Sequence, residues 1–171
     1  MLIRIEHLDP DRHDRAAFSC GEASLDAYLK RRDQTQASQD AKRGSSTTFC
    51  LVDPEEPEQI IGYFTLAPAG LGLSTLPESL RRRLPSYRQI PAFRLARLAV
   101  ATPQQGKEIG ARLLVEALRG CIENPLNAWA VVVDALPHAA GFYVHFGFQP
   151  FTDDSERLFM TMADVRKTIQ R

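Results

Sequence analysis

The sequence lacks a net charge, and it lacks any long apolar run. Its 171 residues carry 21 basic and 21 acidic side chains, so no global field marks a nucleic-acid-binding protein, and a basic surface would have to be local. No apolar run approaches the roughly 18 residues that a membrane-spanning helix needs. The first residues also lack the charged-then-apolar order of a signal peptide. We therefore expect a soluble, cytoplasmic protein.

Cysteine and histidine are too few and too scattered for a disulfide framework or a metal site. The cysteines are odd in number and far apart, at Cys20, Cys50 and Cys121, which favours reduced thiols. The histidines have no paired spacing with cysteines or carboxylates; they are His7, His13, His138 and His145. We therefore expect no metal, and no Ser/His/Asp or Cys/His nucleophile arrangement stands out.

Length and hydrophobic pattern indicate a single domain over residues 1–171. Hydrophobic residues make up 44% of the chain, which is enough for a sizeable core. Strand and helix patterns alternate in the C-terminal half, so we expect the α/β (α+β) class, with a mixed sheet covered by helices. The expected strands cover 3–5, 47–52, 60–66, 90–101, 128–133 and 158–162. The first expected helix is capped by Ser24 and continues through 30–40 toward Gly44. The second spans 110–122, the third runs from Pro137 to His145, and 68–77 is expected to form a loop.

The stretch from Arg97 to Leu114 is the most informative part of the chain. It is typical of an apolar strand, a turn containing Gly106, and an amphipathic helix that opens near Gly110. This order places backbone N–H groups and the positive end of a helix where an anion, typically a phosphate, can bind. An ordinary strand-to-helix turn has the same spacing, so the stretch alone leaves both interpretations open.

Two familiar phosphate-binding motifs are absent. A P-loop requires a glycine five positions before Gly106, where this chain has Ala101. The stretch from Gly70 begins like a dinucleotide-binding fingerprint, but Thr75 stands in place of its last glycine and no helical pattern follows.

A second constellation runs from Gly141 to Phe148. It indicates a helix that ends at Gly147 and leads into a strand, with phenylalanines that are most simply core residues. Tyr143 is the member with chemistry, because a phenol can donate a proton to a departing thiolate. A tyrosine at helical spacing is also commonly structural, so its role stays open at this point.

Together, these two motifs resemble the GNAT family of N-acetyltransferases. The resemblance rests on the strand, the run from Gln105 to Ala111, and, after a buried strand, the run from Phe142 to Phe148. It implies the GNAT fold, a central, mixed, mostly antiparallel sheet flanked by helices, with splayed central strands. It also implies acetyl-coenzyme A as acetyl donor, with its pyrophosphate on the turn and its pantetheine arm along the central strand, and Tyr143 as the catalytic acid. The implied cofactor contacts are Leu98, Ala99, Val100, Gln105, Gly106, Lys107, Glu108, Ile109, Gly110, Ala111 and Phe142.

Glu108 departs from the family pattern. That pattern, Gln/Arg-x-x-Gly-x-Gly/Ala, has a glycine where this chain has Glu108 when it is aligned on Gln105 and Gly110. A carboxylate near a pyrophosphate is repulsive by about 1 kcal/mol at about 4 Å in water, and by more where solvent is excluded. We expect weakened but retained coenzyme A binding, with lost activity as the alternative.

The N-terminal half resembles the GNAT toxins of toxin–antitoxin pairs. This resemblance rests on the stretches 18–21, 25–29, 39–40, 43–44 and 95–100. It implies that the substrate is the α-amine of an aminoacyl-tRNA, that the partner is a ribbon–helix–helix antitoxin, and that the protein forms a homodimer.

Basic residues are concentrated before residue 100. Most runs of charged residues are simply solvent-exposed surface, so this concentration alone is weak evidence for a binding site. A local basic face suits tRNA phosphates. Arg94 and Arg97 stand out because they lie in a strand whose other residues look core-facing. The candidate tRNA-binding residues are Arg31, Arg32, Lys42, Arg43, Arg94 and Arg97.

The absence of an evident acidic general base bears on the substrate. A lysine amine, with a pKa near 10.4, is almost wholly protonated at neutral pH, whereas an α-amine near 7.7–8.0 is partly free. We therefore expect a toxin that acetylates aminoacyl-tRNA and blocks translation. Two alternatives remain: a GNAT enzyme acting on a small amine or a protein N-terminus, and a module that binds tRNA or a protein partner with impaired coenzyme A binding.

Overall fold

A computed structural model describes residues 2–30, 46–86 and 89–170. Four candidate tRNA-binding residues lie outside the described residues: Arg31, Arg32, Lys42 and Arg43. The expected continuation of the first helix through 31–40 toward Gly44 also lies outside them. The strands are β1 (Arg4–His7), β2 (Thr47–Val52), β3 (Gly62–Leu71), β4 (Ile90–Val100), β5 (Ala130–Asp134), β6 (Gln149–Pro150) and β7 (Arg157–Thr161). The helices are α1 (Ala23–Lys30), α2 (Glu78–Arg81), α3 (Ile109–Glu123), α4 (Ala140–His145) and α5 (Met162–Ile169), with short 3-10 turns at Leu73–Thr75 and Thr102–Gln104.

The strands of the described chain form one seven-stranded sheet in the order β1-β2-β3-β4-β5-β7-β6. The pairs β1–β2, β2–β3, β5–β7 and β6–β7 are antiparallel, whereas β4 and β5 are parallel. The parallel register runs from Ala92 opposite Ala130 to Leu95 opposite Val133, and β4 continues past it to Val100. A mixed, mostly antiparallel sheet with helices confirms the predicted fold class.

The chain divides into two compact units, and the divisions fall within β3, within β4 and within α3. The first unit comprises Met1–Ala67 and Ala96–Ala117, and the second comprises Pro68–Leu95 and Leu118–Arg171. The core of the first unit is built from Phe18, Tyr28, Leu29, Cys50, Val52, Ile60, Tyr63 and Ala99. The core of the second unit is built from Leu71, Leu76, Ile90, Ala92, Ala130, Val132, Phe151 and Phe159. A single domain over 1–171 stays a prediction.

Strand β5 shows why an uninterrupted apolar run predicts a strand covered on both faces. Each residue from Ala130 to Val133 is at most 3% exposed. In a strand with one solvated face, alternate residues would be exposed. The predicted buried strand is therefore confirmed over 130–133.

The predicted loop at 68–77 is wrong for its first four residues, because β3 extends to Leu71. Among the described residues, the pairing of β2 with β3 reaches Leu66, opposite Thr47. Pro68 lies past that stretch, where its missing N–H removes no hydrogen bond with β2. The proline and the glycine in this segment therefore do not end the strand.

Two predicted helix starts are wrong, and helices α2 and α5 were not predicted. Helix α1 already begins at Ala23, so Ser24 does not cap it, and α4 begins at Ala140 because Pro137 lies in a turn. Strand β7 ends at Thr161, whose Oγ1 accepts a hydrogen bond from the Asp164 N–H at 3.2 Å. This N-cap starts the unpredicted helix α5.

Candidate active site

The turn between β4 and α3 has the backbone of an anion site. Gly106 and Glu108 both adopt left-handed conformations, with φ angles of 76° and 60°. The Arg112 N–H donates to the Glu108 carbonyl at 3.1 Å, in the hydrogen bond that opens α3. The N–H groups of residues 109–111 precede this bond, so the helix itself leaves them unused at its positive end. Turn and helix therefore present a set of donors to an anion.

Gln105 ties this turn to the segment that precedes α1. Its Nε2 donates to the Cys20 carbonyl at 2.7 Å and to the Val100 carbonyl at 2.9 Å. Thr102 adds two hydrogen bonds to the Ser19 carbonyl, from its backbone N–H at 2.8 Å and from its Oγ1 at 3.0 Å. Because both amide hydrogens of Gln105 are engaged by backbone carbonyls, this side chain holds the turn in shape and has no hydrogen left for a phosphate.

Glu108 adopts the backbone conformation of a glycine but carries a side chain. A φ of 60° costs a residue with a Cβ about 1–2 kcal/mol. The residue is exposed, so its carboxylate reaches solvent. The neighbouring Lys107 directs its Nζ toward Gln104 Oε1, at 3.3 Å. Glu108 thus retains the shape of the turn and adds strain and negative charge to it.

Residues 98–100, the predicted pantetheine contacts, lie on β4 past the stretch that pairs with β5. Ala99 is buried, and Gly62 of β3 lies against it: a Cβ on Gly62 would stand 2.9 Å from the Ala99 carbonyl oxygen. Next to it, the Ala101 N–H donates to the Ile61 carbonyl at 2.8 Å. The start of β3 therefore fixes this end of β4.

The C-terminal cap of α4 fixes the position of Tyr143. Gly147 follows the helix with a φ of 105°, which glycine adopts without strain. Its N–H donates to the Val144 carbonyl at 3.0 Å, and the Phe148 N–H donates to the Tyr143 carbonyl at 3.1 Å. This is a Schellman motif, whose usual apolar contact is here the edge-to-face pair of Tyr143 and Phe148, with ring centroids 5.6 Å apart. The ring of Phe142 also packs edge-on against Tyr143, at 5.1 Å.

The Tyr143 hydroxyl is protonated at neutral pH. The side chain is 6% exposed, and burial raises the pKa of Tyr143 to about 12. The hydroxyl makes no hydrogen bond with any residue that the structure describes. It is therefore a neutral O–H donor that is free to meet a ligand.

The two candidate tRNA-binding arginines within the described ranges differ in their surroundings. Arg94 is exposed, and its Nε lies 3.8 Å from Asp134 Oδ2, while Arg157 approaches the other oxygen of that carboxylate at 3.6 Å. The guanidinium carbon of Arg97 lies 3.6 Å from the centre of the Tyr28 ring. Arg97 forms no ion pair with a carboxylate in the described part of the chain. Among the described residues, the charge of Arg94 is partly compensated by a carboxylate, whereas that of Arg97 is not.

Sequence reasoning missed the role of two tyrosines in the first unit. The rings of Tyr28 and Tyr63 are stacked with centroids 6.2 Å apart, and the Tyr63 hydroxyl donates to the Leu25 carbonyl at 2.7 Å. In the sequence, Tyr28 is one member of an apolar helix stripe and Tyr63 one member of a strand. No local pattern links either residue to Arg97.

A cavity of about 800 Å³ lies in the first unit, but its lining does not suit a phosphate. Its lining includes the apolar Phe18 and Ile60 and four acidic residues: Asp14, Glu55, Glu56 and Glu58. These charges repel an anion. The donors at the start of α3 are therefore the better candidate for the cofactor's pyrophosphate.

The predicted site residues fall into two groups. The first unit brings together residues 98–100, the turn at 105–111 and Arg97. The second unit holds Arg94, Phe142 and Tyr143. Over residues 2–30, 46–86 and 89–170, no three His, Cys, Asp or Glu side chains are grouped to hold a metal ion. No helix in those ranges is long and apolar enough to span a membrane.

Comparison with known structures relates this fold to two complexes of one toxin. AtaT complexed with acetyl-methionyl-tRNAfMet is 26% identical, with a TM-score of 0.84 over 96% of this chain and 98% of that one. A tyrosine-to-phenylalanine variant of the AtaT toxin, bound to the C-terminus of the antitoxin AtaR and acetyl-CoA, is 23% identical, with a TM-score of 0.78 over 99% of each chain. This second likeness concerns the fold alone.

Sequence comparison identifies the family. Residues 82–169 match the acetyltransferase (GNAT) domain family. The tRNA-acetylating toxin of Mycobacterium tuberculosis H37Rv is 33% identical over 162 residues, which cover 93% of this chain and 92% of that protein. As the motifs at 105–111 and 142–148 predict, this chain belongs to the GNAT family of acetyltransferases.

Proposed function

We propose that this enzyme transfers acetyl from acetyl-coenzyme A to the α-amine of an aminoacyl-tRNA and is the toxin of a toxin–antitoxin pair. The observation that carries the proposal is the turn between β4 and α3, where left-handed Gly106 and Glu108 lead into the N–H groups of 109–111, which the hydrogen bonds of α3 leave unused. The Mycobacterium tuberculosis relative is named for acetylating tRNA, and it matches nearly the whole chain. AtaT, of the same fold, is complexed with an acetylated aminoacyl-tRNA.

The cofactor would lie on the first unit's strand and turn. The N–H groups at 109–111 and the backbone of 106–108 would receive the pyrophosphate, because they are donors at a positive helix end. The backbone of residues 98–100 would pair with the amides of the pantetheine arm. Gln105 would act by holding the turn, and Phe142 would supply apolar contact.

The chemistry requires little beyond alignment and proton transfer. The amine nitrogen forms a bond to the thioester carbonyl carbon, the C–S bond breaks, and the thiolate takes a proton from Tyr143. The proton that the amine releases restores the phenol through solvent. Because the pKa of Tyr143 is raised to about 12, the phenol keeps its proton until the thiolate forms.

The α-amine suits a site without a strong base. Amines of this type have a pKa near 7.7–8.0, so a useful fraction is unprotonated at neutral pH without help from the enzyme. Arg94 and Arg97 would bind tRNA phosphates, together with Arg31, Arg32, Lys42 and Arg43. These contacts are electrostatic and therefore salt-dependent.

The proposed setting follows from the same resemblance. The partner is a ribbon–helix–helix antitoxin, the toxin is a homodimer of a single-domain chain, and both proteins act in the cytoplasm, where charged tRNA occurs. The AtaT variant bound to the C-terminus of its antitoxin is a precedent for such a complex.

Glu108 favours a second candidate function, a module that binds tRNA or a protein partner and has lost effective coenzyme A binding. Its carboxylate stands on the turn that would receive the pyrophosphate. Calorimetry with acetyl-coenzyme A separates the two functions. A folded protein that shows no heat of binding would support the module, and saturable binding would support the enzyme.

The direct test of the proposed reaction is transfer of labelled acetyl to tRNA. Total charged tRNA and the same tRNA after deacylation are each incubated with enzyme and acetyl-labelled coenzyme A. We expect label only in the charged sample, and none with Tyr143→Phe. Label in both samples, or in neither, would contradict the proposal.

A further inference from the structure

Arg97 rests on an aromatic pair that α1 and β3 build beneath it. Its guanidinium carbon lies 3.6 Å from the centre of the Tyr28 ring, well within the range of a cation–π contact. Tyr28 is 4% exposed and stacks on Tyr63, with an angle of 16° between the rings. The arginine thus lies on a face whose position is set by the core of the first unit.

The aromatic pair is itself fixed. Tyr63 is fully buried, and its hydroxyl donates to the Leu25 carbonyl at 2.7 Å. The rings of Phe18 and Tyr63 form an edge-to-face pair with centroids 5.4 Å apart. Burial raises the pKa of Tyr63, and the positive charge of Arg97 opposes that rise. The positive charge of Arg97 is therefore close enough to the two tyrosines to affect the ionisation of Tyr63.

The charge of Arg97 has no counterpart among the described carboxylates. Arg94, three residues earlier on the same strand, has Asp134 at 3.8 Å, whereas the group that Arg97 contacts within the described ranges is the ring of Tyr28 and not a carboxylate. Arg97 is also half-buried, where an uncompensated charge is less well solvated. A planar guanidinium with five N–H donors, held in place and with no carboxylate partner in the described part of the chain, is suited to receive a phosphate.

We propose that Tyr28 is a positioning residue that holds the Arg97 guanidinium for a phosphate of the tRNA substrate. The proposal rests on the proposed function, because it assigns this pair to the tRNA side of that reaction. The phosphates of coenzyme A are the other source of the same chemistry. Binding of the two ligands is therefore measured separately.

The test is a double-mutant cycle read by tRNA binding. The full chain and its Tyr28→Leu, Arg97→Ala and doubly substituted variants are titrated with fluorescently labelled, deacylated total tRNA over a range of salt concentrations. Arg97→Ala should weaken binding about 3- to 10-fold and lower the slope of log K against log salt by about 0.7–0.9, the loss of one phosphate contact. Tyr28→Leu should do much the same. The double variant should be no weaker than Arg97→Ala alone.

Three controls separate positioning from general damage to the core. Tyr28→Phe keeps the ring and should bind tRNA like the unsubstituted chain. Leu29→Ala removes a neighbouring, fully buried side chain of α1 and should lower stability without changing the salt slope. Acetyl-coenzyme A affinity, measured by calorimetry, should stay the same in Tyr28→Leu.

Two results would overturn the proposal. One is an additive cycle, in which Tyr28→Leu weakens tRNA binding equally with and without Arg97. The other is a loss of acetyl-coenzyme A affinity that matches the loss of tRNA affinity, which would place Arg97 on the cofactor. Because the cycle measures tRNA binding and not catalysis, its result can be interpreted even if no acetyl transfer is detected.

Discussion

At the scale of single residues, Glu108 has two opposed effects on the turn: its left-handed backbone keeps the shape of an anion site, and its carboxylate opposes anion binding. The turn needs a left-handed residue to point the N–H groups of 109–111 outward, and glycine meets that need without strain. Glu108 meets it at a φ of 60° and adds a carboxylate near the expected pyrophosphate. The shape of the motif is therefore retained, while we expect its affinity for an anion to be reduced.

Replacing Glu108 by glycine should strengthen the cofactor site. Glu108→Gly removes the backbone strain and the charge, so we expect about 10-fold tighter acetyl-coenzyme A binding by calorimetry and about 1 kcal/mol more stability. Glu108→Gln removes the charge alone and should give part of the gain in affinity. Glu123→Gln, at the far end of α3, removes an equal charge and should change neither value. Equal affinities in all four proteins would show that Glu108 does not face the cofactor.

Tyr143 should show its role in kcat and in the pH profile. Tyr143→Phe keeps the ring that packs on Phe148 but removes the proton, so kcat should fall about 100-fold or more with little change in KM for acetyl-coenzyme A. In the unsubstituted enzyme, the rate should rise with pH as the amine loses its proton. It should then stay level to pH 10, because the pKa of Tyr143 is raised to about 12. A falling limb below pH 10 that disappears in Tyr143→Phe would contradict this assignment.

At the scale of elements, the junction of β3 and β4 decides whether residues 98–100 are held in place. Gly62→Ala would put a Cβ 2.9 Å from the Ala99 carbonyl oxygen and 3.3 Å from Leu113 Cδ2, and a backbone atom cannot move aside cheaply. We expect a loss of about 1–3 kcal/mol in urea unfolding.

The matched control for that junction is Gly141→Ala. A Cβ there would meet nothing within 4 Å, and alanine favours the helix, so stability should stay the same or rise by up to about 1 kcal/mol. Equal unfolding midpoints for the two alanine variants would show that the contact between Gly62 and Ala99 is not tight.

The elements that the sequence predicts best are those whose signal is local. The buried run at 130–133 and the helix that ends before Gly147 each follow from composition and spacing alone. Helix α5 was missed although Thr161 and Asp164 form a recognisable cap, because that signal is short and follows a strand directly. The part that Gln105 plays could not be foreseen, since its two acceptors, Cys20 and Val100, meet only in the folded chain.

At the scale of the whole molecule, zero net charge hides a local separation of charge. Within the first unit, four carboxylates line the cavity at Asp14 and 55–58, while Arg97 has no carboxylate partner among the described residues. The sequence predicts the family from the motifs at 105–111 and 142–148, and it predicts tRNA binding from the basic residues before residue 100. It could not predict which arginine is compensated, because Asp134 reaches Arg94 through strand pairing.

The prediction of a single domain is tested by cooperative unfolding. The chain has one tryptophan, Trp129, which stacks on Phe159 in the second unit, whereas far-UV circular dichroism reports on all helices and strands. We expect the two signals to give the same urea midpoint. Separate midpoints would show that the two units unfold independently and would contradict the single-domain prediction.

The central claim is that acetyl is transferred to the α-amine of an aminoacyl-tRNA, and mass spectrometry of the product tests it most directly. Charged tRNA is incubated with enzyme and acetyl-coenzyme A and digested with nuclease, and the terminal aminoacyl-adenosine is fragmented. We predict an aminoacyl-adenosine that gains one acetyl group on its α-nitrogen, in reactions with the unsubstituted enzyme and not with Tyr143→Phe. Acetyl found on a nucleobase or a lysine side chain, or an aminoacyl-adenosine of unchanged mass, would contradict the account.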